Sequence, residues 1–150
     1  MLVASAKPKG QGYEPTSIDP NNLPEFRRPQ MITTTCHCGR VTVSIPRQPE
    51  TLTNCNCSIC RRYGVLWAYY RANEVKVSYA PGAKRAYSRG EKTIRFLRCA
   101  SCGCVSHWER IAGRGRDDRI GINARNFSPE QIGPARIRLL DGAATERYVG

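Results

Sequence analysis

The sequence predicts a mainly β fold, a single domain of short antiparallel strands with metal-binding turns. Three observations carry that expectation. Short segments rich in Val, Ile, Tyr, Trp and Phe alternate apolar with polar residues at period two. Glycine and proline separate them at close intervals. Eight cysteines fall into three tight clusters between or beside these segments.

The elements follow in chain order. Residues 1–30 hold five of the ten prolines, no cysteine and few apolar side chains, so burial cannot offset the entropy of ordering them. They are expected to form a flexible Pro-rich N-terminal extension, with Met31 a plausible alternative start and residues 31–150 the folded domain. Strands are expected at Arg40–Ile45, Val65–Tyr70, Glu74–Tyr79, Thr93–Arg98, Ser106–Ile111, Arg119–Asn123 and Arg136–Leu140. Pro81-Gly82, Arg89-Gly90 and the Gly113/Gly115 pair mark turns between them. One helical turn is expected at Ser128–Ile132, with Ser128 as its N-cap and Pro129 at its first position.

Composition narrows the class of function. The chain has 150 residues, one domain's worth. No apolar run reaches the roughly 18 residues of a membrane span, and no charged and apolar leader opens the sequence. The expectation is a soluble cytoplasmic protein with no membrane partner. Its formal net charge is +12, and 19 of its 24 basic residues are arginine. The first 30 residues carry four bases against three acids, which leaves +11 on residues 31–150.

The cysteines carry the chemistry. Cys36 and Cys38 form one cluster, Cys55, Cys57 and Cys60 a second, and Cys99, Cys102 and Cys104 a third. Disulfide scaffolds space their cysteines to staple distant loops. Thiolates one or two residues apart suit convergence on a single ion instead. Pairing between clusters as disulfides is the alternative. Cys36/Cys38 and Cys99/Cys102 have the form of two knuckles closing around one tetrahedral zinc. The central cluster supplies three thiolates in six residues, and three protein ligands with an open position is a catalytic zinc layout. Spacing alone leaves open a second structural site completed by Cys104, His37 or His107.

Three blocks resemble those of one family. They are Cys36-His37-Cys38-Gly39, then Cys55-Asn56-Cys57-Ser58-Ile59-Cys60-Arg61-Arg62, then Cys99-Ala100-Ser101-Cys102-Gly103. Trp67-Ala68, a Phe96-containing strand and Asn123-Ala124-Arg125 add to the match. Together they resemble the glutathione-dependent formaldehyde-activating enzymes, also called the centromere-protein-V family, over roughly residues 33–142. The resemblance implies a β-tent-like zinc fold with two zinc ions per chain. It places Cys36, Cys38, Cys99 and Cys102 around a structural ion. It places Cys55, Cys57 and Cys60 around a second, whose remaining position takes the sulfur of glutathione. The implied activity is a carbon–sulfur lyase reaction joining glutathione to formaldehyde. Cys104 departs from the pattern, standing where threonine or serine is common, and the N-terminal extension is no part of the family core.

The residues fit that chemistry. Three thiolates around a dication leave −1, so such a zinc suits a soft thiolate better than hydrolytic water. Arg61 and Arg62, beside Cys60, are candidates to clamp a glutathione carboxylate, or else are solvated surface charges. His107 is either a half-buried strand residue or a proton acceptor for the thiol. His37 is expected to point away from the metal, Cys104 to be a small buried side chain, and Trp67, Tyr69, Tyr70 and Trp108 to be core aromatics. The rival class is a non-catalytic zinc-binding module that binds nucleic acid or a protein. With seven thiolates and two dications counted, the domain keeps about +8, which would attract phosphates or an anionic thiol alike. No lysine run, stacking motif or recognition helix supports the nucleic-acid reading. Oligomeric state has no signature in the sequence.

Overall fold

A computed structural model describes residues 30–88, 90–111 and 118–150. Residues 1–29 of the extension expected over 1–30, Arg89 of the expected Arg89-Gly90 turn and the Gly113/Gly115 turn lie outside the described residues. In chain order the strands are β1 (Ile32–Thr35), β2 (Val41–Ile45), β3 (Thr51–Cys55), β4 (Trp67–Arg71), β5 (Lys76–Tyr79), β6 (Lys84–Tyr87), β7 (Ile94–Cys99), β8 (Val105–Arg110), β9 (Arg119–Asn123), β10 (Arg136–Asp141) and β11 (Arg147–Val149). Helix α1 (Cys60–Tyr63) follows β3, and helix α2 (Pro129–Ile132) precedes β10. The fold is mainly β, as the alternation predicts.

Two sheets are built from these strands. The smaller runs β1-β2-β5 and the larger β11-β10-β3-β4-β9-β8-β7-β6. Sequence explains the smaller sheet directly: in Val-Thr-Val-Ser-Ile, period two sends Val41, Val43 and Ile45 to one face, where each is buried. Removing such side chains from water stabilises the fold by about 1.5–3 kcal/mol each. They meet Ala68 and Tyr70 of β4 and Ile120 and Ile122 of β9, forming the core between the sheets.

A second core covers the opposite face of the larger sheet. Trp67 alternates with Ala68, so β4 sends Trp67 and Tyr69 to this side, with Cys55, Cys60, Val65, Phe96, Val105 and Trp108. Strand β8 contains a β-bulge. Leu97 pairs with His107 but Arg98 pairs with Val105, so Ser106 is an extra residue. The extra residue is why Val105 and Trp108, three positions apart, share a face. His107 lies on the other side, 6.4 Å from the Tyr79 ring.

The helical turn at Pro129 forms as expected. Ser128 Oγ accepts from the Gln131 N–H, and Gln131 Oε1 accepts from the Ser128 N–H at 3.0 Å, a capping box. Two features differ from expectation. The ladders between described strands are antiparallel except one: β10 lies parallel to β3, with Leu140 opposite Cys55. Strands β1, β3, β6 and β11 are additional to those expected. No helix among the described residues is long and apolar enough to cross a membrane.

Candidate metal centres

All eight cysteines are free, so the disulfide alternative is set aside. Four of them meet where the two sheets join. Cys36 follows β1 and Cys38 lies in the turn into β2, while Cys99 ends β7 and Cys102 lies in the turn into β8. Their sulfurs all lie within 4.8 Å of one another. Cys36 and Cys38 Sγ are 3.7 Å apart, and Cys38 and Cys99 Sγ 3.6 Å. Four sulfurs at about 2.3 Å from a tetrahedral ion stand about 3.8 Å apart. The donor set therefore fits zinc.

Local sequence makes both knuckles. Gly39 and Gly103 take φ of 78° and 76°, the left-handed region that favours glycine. Each turns its N–H back, Gly39 to Cys36 O at 2.9 Å and Gly103 to Cys99 O at 3.0 Å. The Val41 N–H donates to Cys36 Sγ at 3.3 Å and the Ser101 N–H to Cys99 Sγ at 3.4 Å. Such donors stabilise thiolate. At Cys102 desolvation opposes ionisation, but N–H groups of Cys104 and Cys38 outweigh it and bring the thiol down to about 5.

Cys55, Cys57 and Cys60 form the second group. Cys55 ends β3, Cys57 sits in the following turn and Cys60 opens α1; their sulfurs also lie within 4.8 Å of one another. Among the described residues no fourth His, Cys, Asp or Glu joins them. Cys55 and Cys60 are buried and Cys57 partly so. Burial pushes the Cys55 and Cys60 thiols up. At Cys57 burial acts the same way, yet the N–H groups of Cys60 and Ile59 and the neighbouring thiols lower it overall. Cys57 is thus the readiest of the three to ionise. This set of thiols fits a soft dication with one coordination position left over.

Residues from the rest of the chain hold this loop. The Trp67 indole N–H, 1 % exposed, donates to Cys60 Sγ at 3.2 Å. Asn56 Nδ2 donates to Asp141 Oδ1 at 2.8 Å, and Asn56 Oδ1 accepts from the Ala143 N–H at 2.9 Å. Gly142 sits between those partners. A Cβ there would stand 2.5 Å from Cys55 Sγ and 3.3 Å from Cys57 Cβ. Trp67 and Asn56 stood in the family-like blocks of the sequence without a stated role in holding the loop, and Asp141 and Gly142 carried no signal there.

The remaining candidates divide. Arg61 and Arg62 are exposed in the last turn of α1, where positive charge suits the helix C-terminus. Arg62 Nη1 donates to Ser58 O at 2.6 Å, inside the cysteine loop. Arg62 also lines a cavity of about 390 Å³ with Ser58, Ile59, Tyr63 and Tyr87. His37 is exposed and outside the four-cysteine group, as expected. Cys104 packs, partly buried, against the inter-sheet core and joins neither group.

His107 corrects both readings made of it. It is buried rather than half-buried, at 2 % exposure, with Nδ1 3.0 Å from Ser106 Oγ and Nε2 3.4 Å from Glu109 Oε2. The bulge turns it to the face opposite the three cysteines, so it cannot take a proton from a thiol there. It lines instead a cavity of about 370 Å³ with Tyr79, Lys84 and Glu109, to which no cysteine contributes.

Comparison with known proteins gives the family and a structural neighbour. The family model described as glutathione-dependent formaldehyde-activating enzyme matches residues 31–136. Among solved structures, the crystal structure of a Rhodobacter sphaeroides protein from a structural-genomics programme superposes with a TM-score of 0.57. It is 26 % identical, over 70 % of this chain and 98 % of that one. No curated protein matches the chain.

Proposed function

The chain belongs to the glutathione-dependent formaldehyde-activating enzyme family, and from that premise we propose that it joins glutathione, or a similar thiol, to formaldehyde or another small carbonyl. One observation supports an active centre best. Four thiols surround the first position, but only three of the described residues' metal-binding groups surround the second. Cys36, Cys38, Cys99 and Cys102 would hold a structural zinc, and Cys55, Cys57 and Cys60 a second. Bound there, zinc would supply an open position for a thiol sulfur and keep that sulfur as thiolate.

The chain's own residues account for the rest. Trp67 fixes Cys60, while Asn56 and Gly142 seat the loop on the turn after β10. Arg62, which lines a cavity with Tyr63 and Tyr87, would meet a carboxylate of the peptide thiol, with Arg61 one residue away. In the reaction the thiol loses its proton to solvent and the sulfur lone pair forms a bond to the carbonyl carbon. The C=O pair moves to oxygen, which takes up a proton. The product is an S-hydroxyalkyl adduct, and the reverse direction is a carbon–sulfur lyase reaction. We assign the domain to residues 31–150, in line with the family match from residue 31. The cytoplasm, which keeps thiols reduced, suits a chain of eight free cysteines.

Cobalt substitution tests the reading. Reduced glutathione should change the sulfur-to-cobalt absorption band, and S-methylglutathione should not, since a thioether cannot become a thiolate. Cys57→Ser should remove about one metal ion per chain and the response with it, with the fold retained. An unchanged wild-type spectrum would leave the second site structural and favour a non-catalytic binding module.

A further inference from the structure

We propose that Tyr87 makes the second centre selective for a peptide thiol, its ring covering the peptide body of a substrate whose sulfur reaches the three-cysteine site. The inference rests on the thiol reading of that site and adds the residue that tells a peptide thiol from a small one.

Register places Tyr87 on the face of the cysteines. It pairs directly with Phe96 across β6 and β7, and directly paired residues share a face. Phe96 lies in the core that holds Cys55 and Cys60. Its ring stands 6.2 Å from Trp67, whose indole N–H meets Cys60 Sγ, and 5.9 Å from Tyr63 of α1. Cys60 opens that same helix. Tyr87 thus stands beside a row of packed rings that ends at the Cys60 sulfur.

A cavity of about 390 Å³ separates Tyr87 from the cysteine loop. Its walls are Ser58 and Ile59, which lie between Cys57 and Cys60 in the chain, with Arg62, Tyr63 and Tyr87. Packing does not account for Tyr87. Strand β6 is an edge of the large sheet, and Tyr87 is 49 % exposed while Phe96 opposite it is buried. Its ring walls a space rather than filling one.

Those walls specify the ligand. The described residues that line the cavity include one cation, Arg62, and no acid. The bond from Arg62 Nη1 to Ser58 O takes one of the five guanidinium donors and holds the group at the cavity. Arg85 and Arg98, directly opposite each other on the face of Tyr87, add positive charge beside it. A carboxylate therefore suits Arg62. The two tyrosine rings and Ile59 offer apolar surface with hydroxyl tips, which suits the amide planes and methylene groups of a peptide. A peptide thiol supplies both, whereas 2-mercaptoethanol, small and neutral, supplies neither.

The test uses the full chain loaded with cobalt, titrated with glutathione and, separately, with 2-mercaptoethanol. In wild type both should change the sulfur-to-cobalt band, glutathione at a midpoint about tenfold lower or more. Tyr87→Ala should raise the glutathione midpoint about tenfold, as the loss of one aromatic anchor does, and leave the 2-mercaptoethanol midpoint within about twofold. Tyr87→Leu, which keeps apolar bulk against Phe96, should shift the same midpoint in the same direction and decides the matter if Tyr87→Ala fails to fold. A wild type that answers both thiols at one midpoint would overturn the proposal and leave the thiol reading intact. So would a folded Tyr87 variant that keeps the wild-type preference, or one that loses metal and both responses together, which marks a structural role. If the wild type answers neither thiol, the thiol reading itself fails, and this inference falls with it.

Discussion

Gly142 shows what single residues do at the second centre. It contributes only room: the turn after β10 can press on Cys55 and Cys57 because nothing projects from position 142. Gly142→Ala would put a methyl group 2.5 Å from Cys55 Sγ, inside any real contact distance, so the sulfur or the turn must move. The expected outcome is loss of about one metal ion per chain, measured by elemental analysis, with the four-cysteine ion retained. Full occupancy of both sites would show that the turn gives way freely. The sequence disclosed the cysteines because ligands one to three residues apart form a local pattern. It could not disclose the close approach of Gly142, the Asn56–Asp141 hydrogen bond or the Trp67 hydrogen bond, because each partner is brought near only by folding. Asn56 and Asp141 are 85 residues apart.

At the scale of elements, alternation was informative where one face of a strand is buried and the other is not. Val41–Ile45 shows its buried face in sequence, whereas Arg119–Asn123 alternates in sequence yet is buried on both faces from Ile120 onward. Lys84–Tyr87 is exposed along its whole length, and Arg147–Val149 has three residues, so neither carries an alternating signal. Strand β8 misleads for a different reason, since one extra residue at Ser106 reverses the facing of everything after it. That reversal makes a prediction. His107→Gln should destabilise the domain by about 1–3 kcal/mol, because it disturbs a buried polar group bonded to Ser106 and Glu109. A urea denaturation curve measures that loss. The glutathione response of the cobalt form should be untouched, since the side chain lies on the other face of the sheet. A lost thiol response at wild-type stability would show that β8 couples the two faces.

For the whole molecule, the two centres have different mechanical positions. Cys36 and Cys38 belong to the small sheet and Cys99 and Cys102 to the large one, so a metal among them ties the sheets together. The three-cysteine loop instead lies against one end of the large sheet, where β3 is held between β4 and β10 by backbone pairing that needs no metal. The parallel β3–β10 pairing could not be read locally, since it joins residues 85 apart such as Thr51 and Arg136. Structural zinc in small domains is worth about 10–16 kcal/mol at neutral pH, as large as the whole stability of a typical domain, about 5–15 kcal/mol. Cys36→Ser should therefore abolish the cooperative thermal transition, whereas Cys57→Ser should keep it and lose only one ion per chain. Calorimetry alongside metal analysis of both variants distinguishes them. If Cys36→Ser melts like wild type, packing of Val41, Val43 and Ile45 against Ile120 and Ile122 holds the sheets together without the ion.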